Sequence, residues 1–184
     1  TMIFFVGIRL IFPILVFIAI ILSSPLIWIL LKPYQQNRIK TFLNPDLDPL
    51  GKGYHIIQSK IAIGSGGMRG NGFLGGSQSS LNFIPEKETD FVFSIFAEQF
   101  GFIGSLMLLI LFFMMAIIPI LKSIKIKNIY IKLVILGLSF KMLIEVFINV
   151  SMTLGVLPVV GVALPLMSYG GSSLLSNMII LGII

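Results

Sequence analysis

The sequence contains no cysteine and a single histidine, His55, among its 184 residues. The missing thiols exclude disulfide bonds, thiolate catalysis and cysteine-based metal sites, and one imidazole cannot build a histidine-rich metal centre. Charge is also scarce, because only 11% of the residues are Asp, Glu, Lys or Arg, whereas 57% are hydrophobic. Together with a mean hydropathy of +1.05, this composition excludes an ordinary soluble globular domain and predicts an integral membrane protein.

Long hydrophobic runs predict an all-α fold with about four transmembrane helices. A helix that crosses a bilayer needs about 20 apolar residues, and the runs 10–31, 91–121 and 133–152 are long enough. The last run, 174–184, would cover only about 17 Å as a helix, so we expect the chain to stop inside its fourth helix. The first run is too long for a signal peptide and no small-residue cleavage site follows it.

The short segment between the second and third predicted helices, 122–132, contains four lysines and no acid. Short lysine-rich loops face the cytoplasm, so we expect the segments 32–90 and 153–173 to lie on the outer side. Basic residues near the first helix argue the other way, but a long loop follows this rule less strictly. The net charge of +6 is therefore interpreted as orientation and contact with membrane lipid, not as nucleic-acid binding.

The outer segments contain most of the polar residues. Helical spacing of isoleucines predicts a short amphipathic helix at 54–63, and the glycine-dense run 64–76 predicts a shaped loop. The apolar segment 154–173 contains Pro158 and Pro165, so we expect a re-entrant or buried loop there instead of a regular helix.

Three of the seven acidic residues, Glu86, Glu88 and Asp90, lie within five positions. Asp90 directly precedes the second apolar run, which places it at the mouth of a predicted membrane helix. A carboxylate held there could act as a general base, or Thr89 and Asp90 could only cap the helix. The residues alone are compatible with both. Glu98 follows eight positions later, and we expect it on the same helix face, about 12 Å away.

Three further patterns have simpler interpretations. Lys141 and Glu145 are four positions apart and can form an ion pair, which we interpret as a tether between helices. The glycine pattern at 70–75 matches a dinucleotide fingerprint, but no strand precedes it. The glycosylation pattern at 149–151 lies in an apolar span, so both matches are attributed to chance.

Four longer motifs follow one another along nearly the whole chain: NPDLDPLG at 44–51, QSKIAIGSGG at 58–67, PEKETDF at 85–91 and PLMSYGGSS at 165–173. Together they resemble the signatures of the SEDS family, the RodA and FtsW polymerases of bacterial cell-wall synthesis. The segment LPVVGV at 157–162 and Lys60 resemble the RodA form, since FtsW-like chains carry a Thr-Lys pair after the proline.

The resemblance implies a ten-helix protein of the bacterial inner membrane, with both ends cytoplasmic, of which this chain supplies the last four helices. The implied reaction polymerises lipid II, the undecaprenyl-diphosphate-linked disaccharide-pentapeptide, into glycan strands during cell elongation and cell-shape maintenance. In the family the acid of the Thr-Asp-Phe motif, here Asp90, is essential. The resemblance also implies a class B penicillin-binding transpeptidase as partner.

The implied reaction suggests roles for further residues. Lys60 and Arg69 could stabilise the departing diphosphate, although loop charges of this kind also simply contact solvent or lipid. A glycine nest containing Gly66 and Gly67 could bind the same anion. A divalent cation, Mg²⁺ or Mn²⁺, could bridge Asp90 and the diphosphate, but no cofactor is firmly predicted.

The final motif and two acids complete the candidate site. The N–H groups of a helix start could face the diphosphate, or the motif could be only a tight turn; its residues are Ser168, Tyr169, Gly170 and Gly171. Glu86 and Glu98 are expected in supporting roles, and for Glu98 we favour holding helices together over tuning Asp90.

Two positions depart from the family pattern. Glu88 replaces the usual histidine and adds negative charge that disfavours ionisation of Asp90, and Asn82 stands where a glutamate is usual. Because the first half of the family fold is not part of this chain, we expect the chain to be inactive alone. The alternative functions are a lipid-linked precursor transporter (a flippase), which a charged cavity among broken helices would suit, and a non-catalytic membrane scaffold for a transpeptidase.

Overall fold

The computed structural model describes residues 11–44, 51–73, 75–76 and 89–184, and within these ranges it contains six α-helices and no strand. The helices are α1 (Ile11–Leu30), α2 (Pro33–Leu43), α3 (Lys52–Gly66), α4 (Val92–Ser123), α5 (Ile129–Thr153) and α6 (Gly171–Ile183). The mostly helical fold class is therefore confirmed for the described part of the chain.

Two of these helices are long and apolar enough to cross a bilayer. α4 has 32 residues and α5 has 25, with mean hydropathies of 2.7 and 2.0 over their most apolar windows. Only 17% and 33% of those windows are buried, so most of their apolar side chains point outward, where lipid or further protein must cover them. Membrane crossing by α1 and α6 stays a prediction.

The polar ends of the helices explain where the observed bounds differ from the expected ones. α5 begins at Ile129 instead of 133, because the side-chain oxygen of Asn128 caps it by accepting from the Tyr130 N–H at 3.0 Å. α6 begins at Gly171, three positions earlier than expected. α3 continues to Gly66. The prediction of a loop over 64–76 was therefore wrong for residues 64–66, which are helical.

α2 was not expected inside the long polar segment. Pro33 supplies a helical φ at the first position, and the Lys32 N–H donates to Gln35 Oε1 at 3.0 Å. The Gln36 side chain then donates to the Trp28 carbonyl at 2.9 Å, which ties the start of α2 to the end of α1. Local capping chemistry thus forms a helix where hydrophobic periodicity gave no signal.

α4 is the central element and packs mainly against α5 and α3. The turn between α4 and α5 is short, so these helices are neighbours. Their interface buries Phe93, Phe112 and Val146, together with Leu164 from the loop that follows α5. On α5, Lys141 Nζ lies 2.7 Å from Glu145 Oε1, which confirms the predicted ion pair. Both residues belong to the same helix, so the expectation that the pair tethers two helices was wrong.

α4 is broken at Gly101, which has a φ of 67° and a ψ of −166°. The break frees backbone groups from their helical partners. Four backbone groups beside it are hydrogen bonded by residues 66–72, which we call the glycine strap. The bonds run from the N–H of Phe102 to Gly67 O (2.9 Å), Ile103 to Met68 O (3.2 Å), Asn71 to Glu98 O (3.0 Å) and Gly72 to Gln99 O (3.1 Å).

At two positions, Gly66 and Gly70, the strap approaches α4 so closely that only a glycine fits. A Cβ atom on Gly66 would clash with the carbonyl of Ala97, and one on Gly70 would lie 2.7 Å from the Gly101 nitrogen. Irregular backbone inside a membrane protein is stable only where protein or a cavity satisfies its polar groups. The strap provides these hydrogen bonds, so the break in α4 is a stable part of the fold.

Candidate functional site

Asp90 lies half-buried in the turn just before α4. Phe91, and not Asp90, occupies the N-cap position of this helix. The Phe91 side chain is fully buried in an apolar cluster whose other members are Ile56, Ala62, Met152 and Val159. A buried aromatic ring anchors its backbone strongly, so the neighbouring Asp90 is held at the junction of α3, α4 and the end of α5.

A buried amide on α5 also holds Asp90. Asn149 Nδ2 donates to the main-chain carbonyl of Asp90 at 3.0 Å and to that of Val162 at 2.7 Å. Val162 belongs to the segment 154–170, which we call the α5–α6 loop. The head of α4 and this loop are therefore joined through one side chain.

The α5–α6 loop passes directly against both Asp90 and Lys60. A Cβ atom on Gly161 would lie 3.2 Å from Asp90 Oδ2, and one on Gly155 would lie 2.7 Å from Lys60 Nζ. Both glycines have positive φ, 74° and 67° respectively, which favours glycine. A cationic and an acidic side chain from distant parts of the sequence thus face one short loop.

The helix that carries Lys60 is fixed by a buried hydroxyl cluster. Ser59 Oγ lies 2.5 Å from Ser94 Oγ and donates to the Thr153 carbonyl at 2.7 Å. Ser59, Ser94 and Thr153 are all fully buried, so α3, α4 and α5 meet at one hydrogen-bonded point. This arrangement leaves the adjacent Lys60 side chain exposed.

The hydrogen bonds do not support an anion-binding nest at Gly66 and Gly67. The Gly67 N–H donates to Gly64 O at 3.3 Å, and the Gly70 N–H donates to Gly66 O at 2.7 Å. These donors are used within the chain because the strap must turn sharply to reach the break in α4. Arg69 also lies on the strap, with an exposed side chain.

The last motif divides into a turn and a helix start. Ser168 is buried, and its Oγ accepts from the Leu164 N–H at 2.7 Å while its own N–H donates back to Leu164 O at 3.1 Å. Ser168 therefore closes a tight turn, as one of the two interpretations expected. Tyr169 is 78% exposed. Gly170 is the N-cap of α6 and Gly171 its first residue.

The first N–H groups of α6 have no carbonyl partner within the helix. Gly171 is exposed, and the first bond within α6 runs from Leu174 N–H to Gly170 O at 2.9 Å. No side chain caps this helix. An anion could approach this end of α6.

Glu98 lies in the protein interior, in contact with Gly76 and the strap. It is fully buried, and a Cβ atom on Gly76 would lie 2.5 Å from its Oε2. Its carbonyl also accepts a bond from the strap. That Glu98 holds helices together stays a prediction. Because Asp90 precedes α4, the helical-rise estimate for this pair does not apply.

Two acids and one amide named from the sequence lie outside the described residues: Glu86, Glu88 and Asn82. Within residues 11–44, 51–73, 75–76 and 89–184, no group of three His, Cys, Asp or Glu side chains could hold a metal ion. A cation near Asp90 would therefore need further ligands from outside these ranges, from a substrate or from water.

The cavity beside the break in α4 is not lined by the candidate residues Asp90 and Lys60. It has a volume of about 250 Å³, and Ser105, the hydroxyl in its lining, already donates to the Gly101 carbonyl at 2.8 Å. The remaining lining is apolar or glycine: Ile63, Gly67, Phe93, Ala97, Gly101, Phe102, Leu106, Leu109, Val150 and Leu154.

Sequence reasoning missed the groups that organise the site. Asn149 was considered only as part of a chance glycosylation pattern, and Ser59, Gly155 and Gly161 were given no individual role. One usable signal existed for Asn149, since a polar side chain inside an apolar span normally faces the protein interior and has a function there.

A family model described as "Cell cycle protein", covering FtsW, RodA and SpoVE, matches residues 1–184. The chain belongs to the FtsW/RodA/SpoVE family. This match confirms the resemblance carried by the four motifs. As a member of the FtsW/RodA/SpoVE family, the chain is a membrane protein.

Two similar relatives in this family are named as enzymes. The Escherichia coli K12 protein "Peptidoglycan glycosyltransferase MrdB" is 45% identical over 174 residues, covering 92% of this chain and 47% of the relative. The Treponema pallidum protein "Peptidoglycan glycosyltransferase RodA" is 46% identical over 156 residues, covering 84% and 36%. The chain thus spans about half or less of the curated relatives it matches.

A solved structure is also similar to this chain. It is described as "Structural coordination of polymerization and crosslinking by a peptidoglycan synthase complex". The likeness has a TM-score of 0.77 and 34% sequence identity, and it covers 99% of this chain and 50% of the other. The described helices therefore share the arrangement of that solved structure.

Proposed function

We propose that this chain forms the C-terminal part of a RodA-type peptidoglycan glycosyltransferase, which polymerises lipid II into glycan strands with Asp90 as general base. The observation that carries the proposal is the position of Asp90. Its neighbour Phe91 and the amide of Asn149 fix its backbone, and the α5–α6 loop lies against its carboxylate. A positioned carboxylate is what a sugar hydroxyl needs when it attacks an anomeric carbon.

The proposed reaction is one substitution. A hydroxyl oxygen of one sugar forms a bond to the anomeric carbon of the other, and the bond from that carbon to the lipid diphosphate breaks. The hydroxyl proton passes to the Asp90 carboxylate, and the electron pair of the broken bond stays on the diphosphate. Its growing negative charge requires nearby cations or N–H groups.

Lys60 is the best-supported group for this charge. Its Nζ faces the same loop as Asp90, and its side chain is exposed on a helix that buried hydroxyls fix in place. The open start of α6 at Gly170 and Gly171 is a second candidate, because helix N-termini favour anions. Arg69 is a third, since its exposed position on the strap lets it reach outward.

A divalent cation is also part of the proposal. Mg²⁺ commonly binds through one or two carboxylates together with substrate phosphates, so Asp90 and a diphosphate would form an ordinary Mg²⁺ or Mn²⁺ site. Such an ion would supply positive charge to the departing diphosphate.

The proposal further includes a class B penicillin-binding transpeptidase as partner. The similar structure supports this partner, because it is described as coordinating polymerisation and crosslinking in a peptidoglycan synthase complex. A strand that leaves the polymerase would then reach a crosslinking enzyme held beside it.

The RodA type is favoured over the FtsW type by Lys60 and by the segment LPVVGV at 157–162. That segment forms the part of the α5–α6 loop that lies against Asp90. An orientation with the Asp90 turn outside and the lysines of 122–132 inside follows the positive-inside rule. In this orientation Asp90 meets the lipid-linked substrate at the outer face of the inner membrane.

The break in α4 argues against the transporter alternative. Transporters use broken helices to present unpaired backbone groups to ions and substrates. Beside Gly101, four backbone groups of α4 are bonded to the glycine strap. They are not available for a transported substrate, so the break has a structural role in this chain.

The test is polymerisation of labelled lipid II by the purified complete protein. We expect Asp90→Asn to lower the rate by about 10² to 10⁴-fold, the usual contribution of a general base. Glu145→Gln is the matched control, because it makes the same acid-to-amide change on α5, in the ion pair with Lys141, and it should retain most of the activity.

Two outcomes would contradict the proposal. Full polymerisation by Asp90→Asn would exclude Asp90 as the base. Wild-type protein that binds a transpeptidase but forms no strands would favour the scaffold. The chain without the further residues of its relatives should be inactive, and glycan strands from it alone would overturn that expectation.

A further inference from the structure

Asn149 connects two segments that are far apart in sequence. Its Nδ2 donates to the carbonyl of Asp90, 59 positions away, and to that of Val162, 13 positions away. The distances of 3.0 and 2.7 Å are those of good hydrogen bonds. Since a side-chain amide nitrogen carries two hydrogens, Asn149 uses its whole donor capacity on these two carbonyls.

Burial makes this connection energetically significant. Asn149 is fully buried in a helix whose other buried positions are mainly apolar or hydroxyl-bearing. A buried amide destabilises a protein unless it is hydrogen bonded, and loss of the amide would remove a donor from each of the two carbonyls. The amide of Asn149 therefore contributes directly to the arrangement of the Asp90 turn and the α5–α6 loop.

The two bonds restrain the backbone that carries the carboxylate and the loop segment that faces it. One holds the backbone of Asp90 itself. The other holds Val162, the residue after Gly161, whose α-carbon faces Asp90 Oδ2 closely enough that a Cβ would lie 3.2 Å away. Asn149 thereby fixes the distance between the carboxylate and the loop that covers it.

We propose that Asn149 is a positioning residue for Asp90: its amide sets where the carboxylate stands relative to the α5–α6 loop, and through it relative to the incoming sugar hydroxyl. The two hydrogen bonds that Asn149 donates run to main-chain carbonyls and not to the carboxylate. The consequence for turnover rests on the proposed function, whereas the structural link between the two segments does not.

The first experiment measures the link without any reaction, by amide hydrogen exchange of the complete protein in nanodiscs. Asn149→Leu has a similar volume and removes both donors, and Asn149→Asp replaces the donating nitrogen with oxygen. In each we expect exchange across 156–168 to increase by about tenfold or more, as loss of about 1.4 kcal/mol of local hydrogen bonding predicts. α4 beyond Gly101 should keep its protection.

Ser139→Ala is the matched control for this measurement. Ser139 is buried on the same helix, and its hydroxyl has no partner among the described residues, so its removal should leave exchange across 156–168 unchanged. Unchanged exchange in both Asn149 variants would overturn the proposal. Loss of protection throughout α4 and α5 would also overturn it, because Asn149 would then support the whole fold and not this local arrangement.

The second experiment measures polymerisation of lipid II by the same variants. A displaced general base lowers kcat while substrate binding is kept, and displacements of about 1 Å can cost about 10²-fold. We expect Asn149→Leu to lower kcat by about 10- to 100-fold with KM nearly unchanged. A raised KM at normal kcat would contradict positioning.

The two experiments separate failure of this inference from failure of the proposed function. If Asp90→Asn polymerises normally, the proposed function is wrong, yet the exchange result still decides whether Asn149 holds the loop. If Asp90→Asn is inactive and Asn149→Leu has normal kcat and KM, the function stands and the positioning role is excluded.

Discussion

The glycine strap (66–72) and the α5–α6 loop (154–170) both place glycines against neighbouring elements, but the neighbours differ. At the strap, Gly66, Gly70 and Gly101 meet main-chain atoms. At the loop, Gly155 and Gly161 meet the side chains of Lys60 and Asp90. What a glycine faces, and not how dense the glycines are, therefore separates a structural contact from a candidate site.

The difference has a physical cause. Main-chain atoms inside paired helices cannot move without breaking hydrogen bonds, so a Cβ added at the strap must displace whole elements. Side-chain ends can move by rotation about their own bonds at small cost. Substitutions at the strap should therefore reduce stability, whereas substitutions at the loop should mainly change the geometry of the site.

The largest effect is expected for Gly70→Ala and Gly101→Ala. Both positions have positive φ, 79° and 67°, and an added Cβ at either would press on the backbone of the other segment. We expect each to destabilise the protein by about 3 kcal/mol or more, from backbone strain and lost strap bonds. Thermal unfolding in detergent would measure this.

Gly64→Ala is the control for the strap. Gly64 is helical and has nothing within 4 Å of an added Cβ, so alanine should be neutral or stabilise by up to about 1 kcal/mol. Equal loss of stability for Gly64→Ala and Gly70→Ala would show that glycine content alone matters, and the comparison between the two segments would fail.

A middle-sized effect is expected for Ser59→Ala, which tests whether the buried hydroxyls join the helices that flank the two segments. Ser59 bonds Ser94 on α4 and Thr153, the last residue of α5. Its removal leaves buried groups unsatisfied, so we expect a destabilisation of about 2 kcal/mol. Unfolding in detergent would measure it.

Ser176→Ala provides the contrast, since that hydroxyl bonds only the Ser172 carbonyl in its own helix and is exposed. Its effect should stay within about 0.5 kcal/mol. If the two serine variants were equally stable, the buried cluster would not join α3, α4 and α5 as described.

The smallest effect on stability is expected for Gly161→Ala. Its φ of 74° strains an alanine by about 1 to 2 kcal/mol, and the added methyl would lie 3.2 Å from Asp90 Oδ2. We expect polymerisation to fall by about tenfold, equivalent to about 1.4 kcal/mol in the barrier. An assay of kcat would detect this.

Gly182→Ala on α6 is the companion, because nothing lies within 4 Å of a Cβ there. It should leave turnover unchanged. Should Gly161→Ala lower the unfolding temperature as much as Gly101→Ala while turnover stays normal, the α5–α6 loop would be structural like the strap, and its assignment to the site would be wrong.

The extent to which the site could be predicted depends on the kind of residue. Asp90 and Lys60 carry charge in an apolar chain, so composition and the motif drew attention to both. Gly66, Gly67 and Ser168 were in equally prominent motifs, yet their hydrogen bonds are used within the chain. A motif marks that a residue matters but not whether it binds a ligand or shapes the backbone.

Asn149 shows why the remainder could not be predicted. Its two partners are set by how α5 lies against the turn before α4 and against a loop that follows it. No local pattern encodes a contact across 59 positions. Likewise, the continuous apolar run of α4 gave no warning of the break at Gly101, since its hydrogen bonds are completed by another segment.

Local features of the chain were enough to predict the membrane class, the positions of the long helices, the family and the acid at the head of α4. These properties depend on hydrophobic length, charge and ordered motifs. Three contacts became visible only in the folded molecule: the strap completes α4, the α5–α6 loop faces Lys60 and Asp90, and Asn149 joins this loop to Asp90. Such hydrogen bonds and close approaches link distant segments, so they depend on how the helices pack, which hydrophobic pattern alone leaves open.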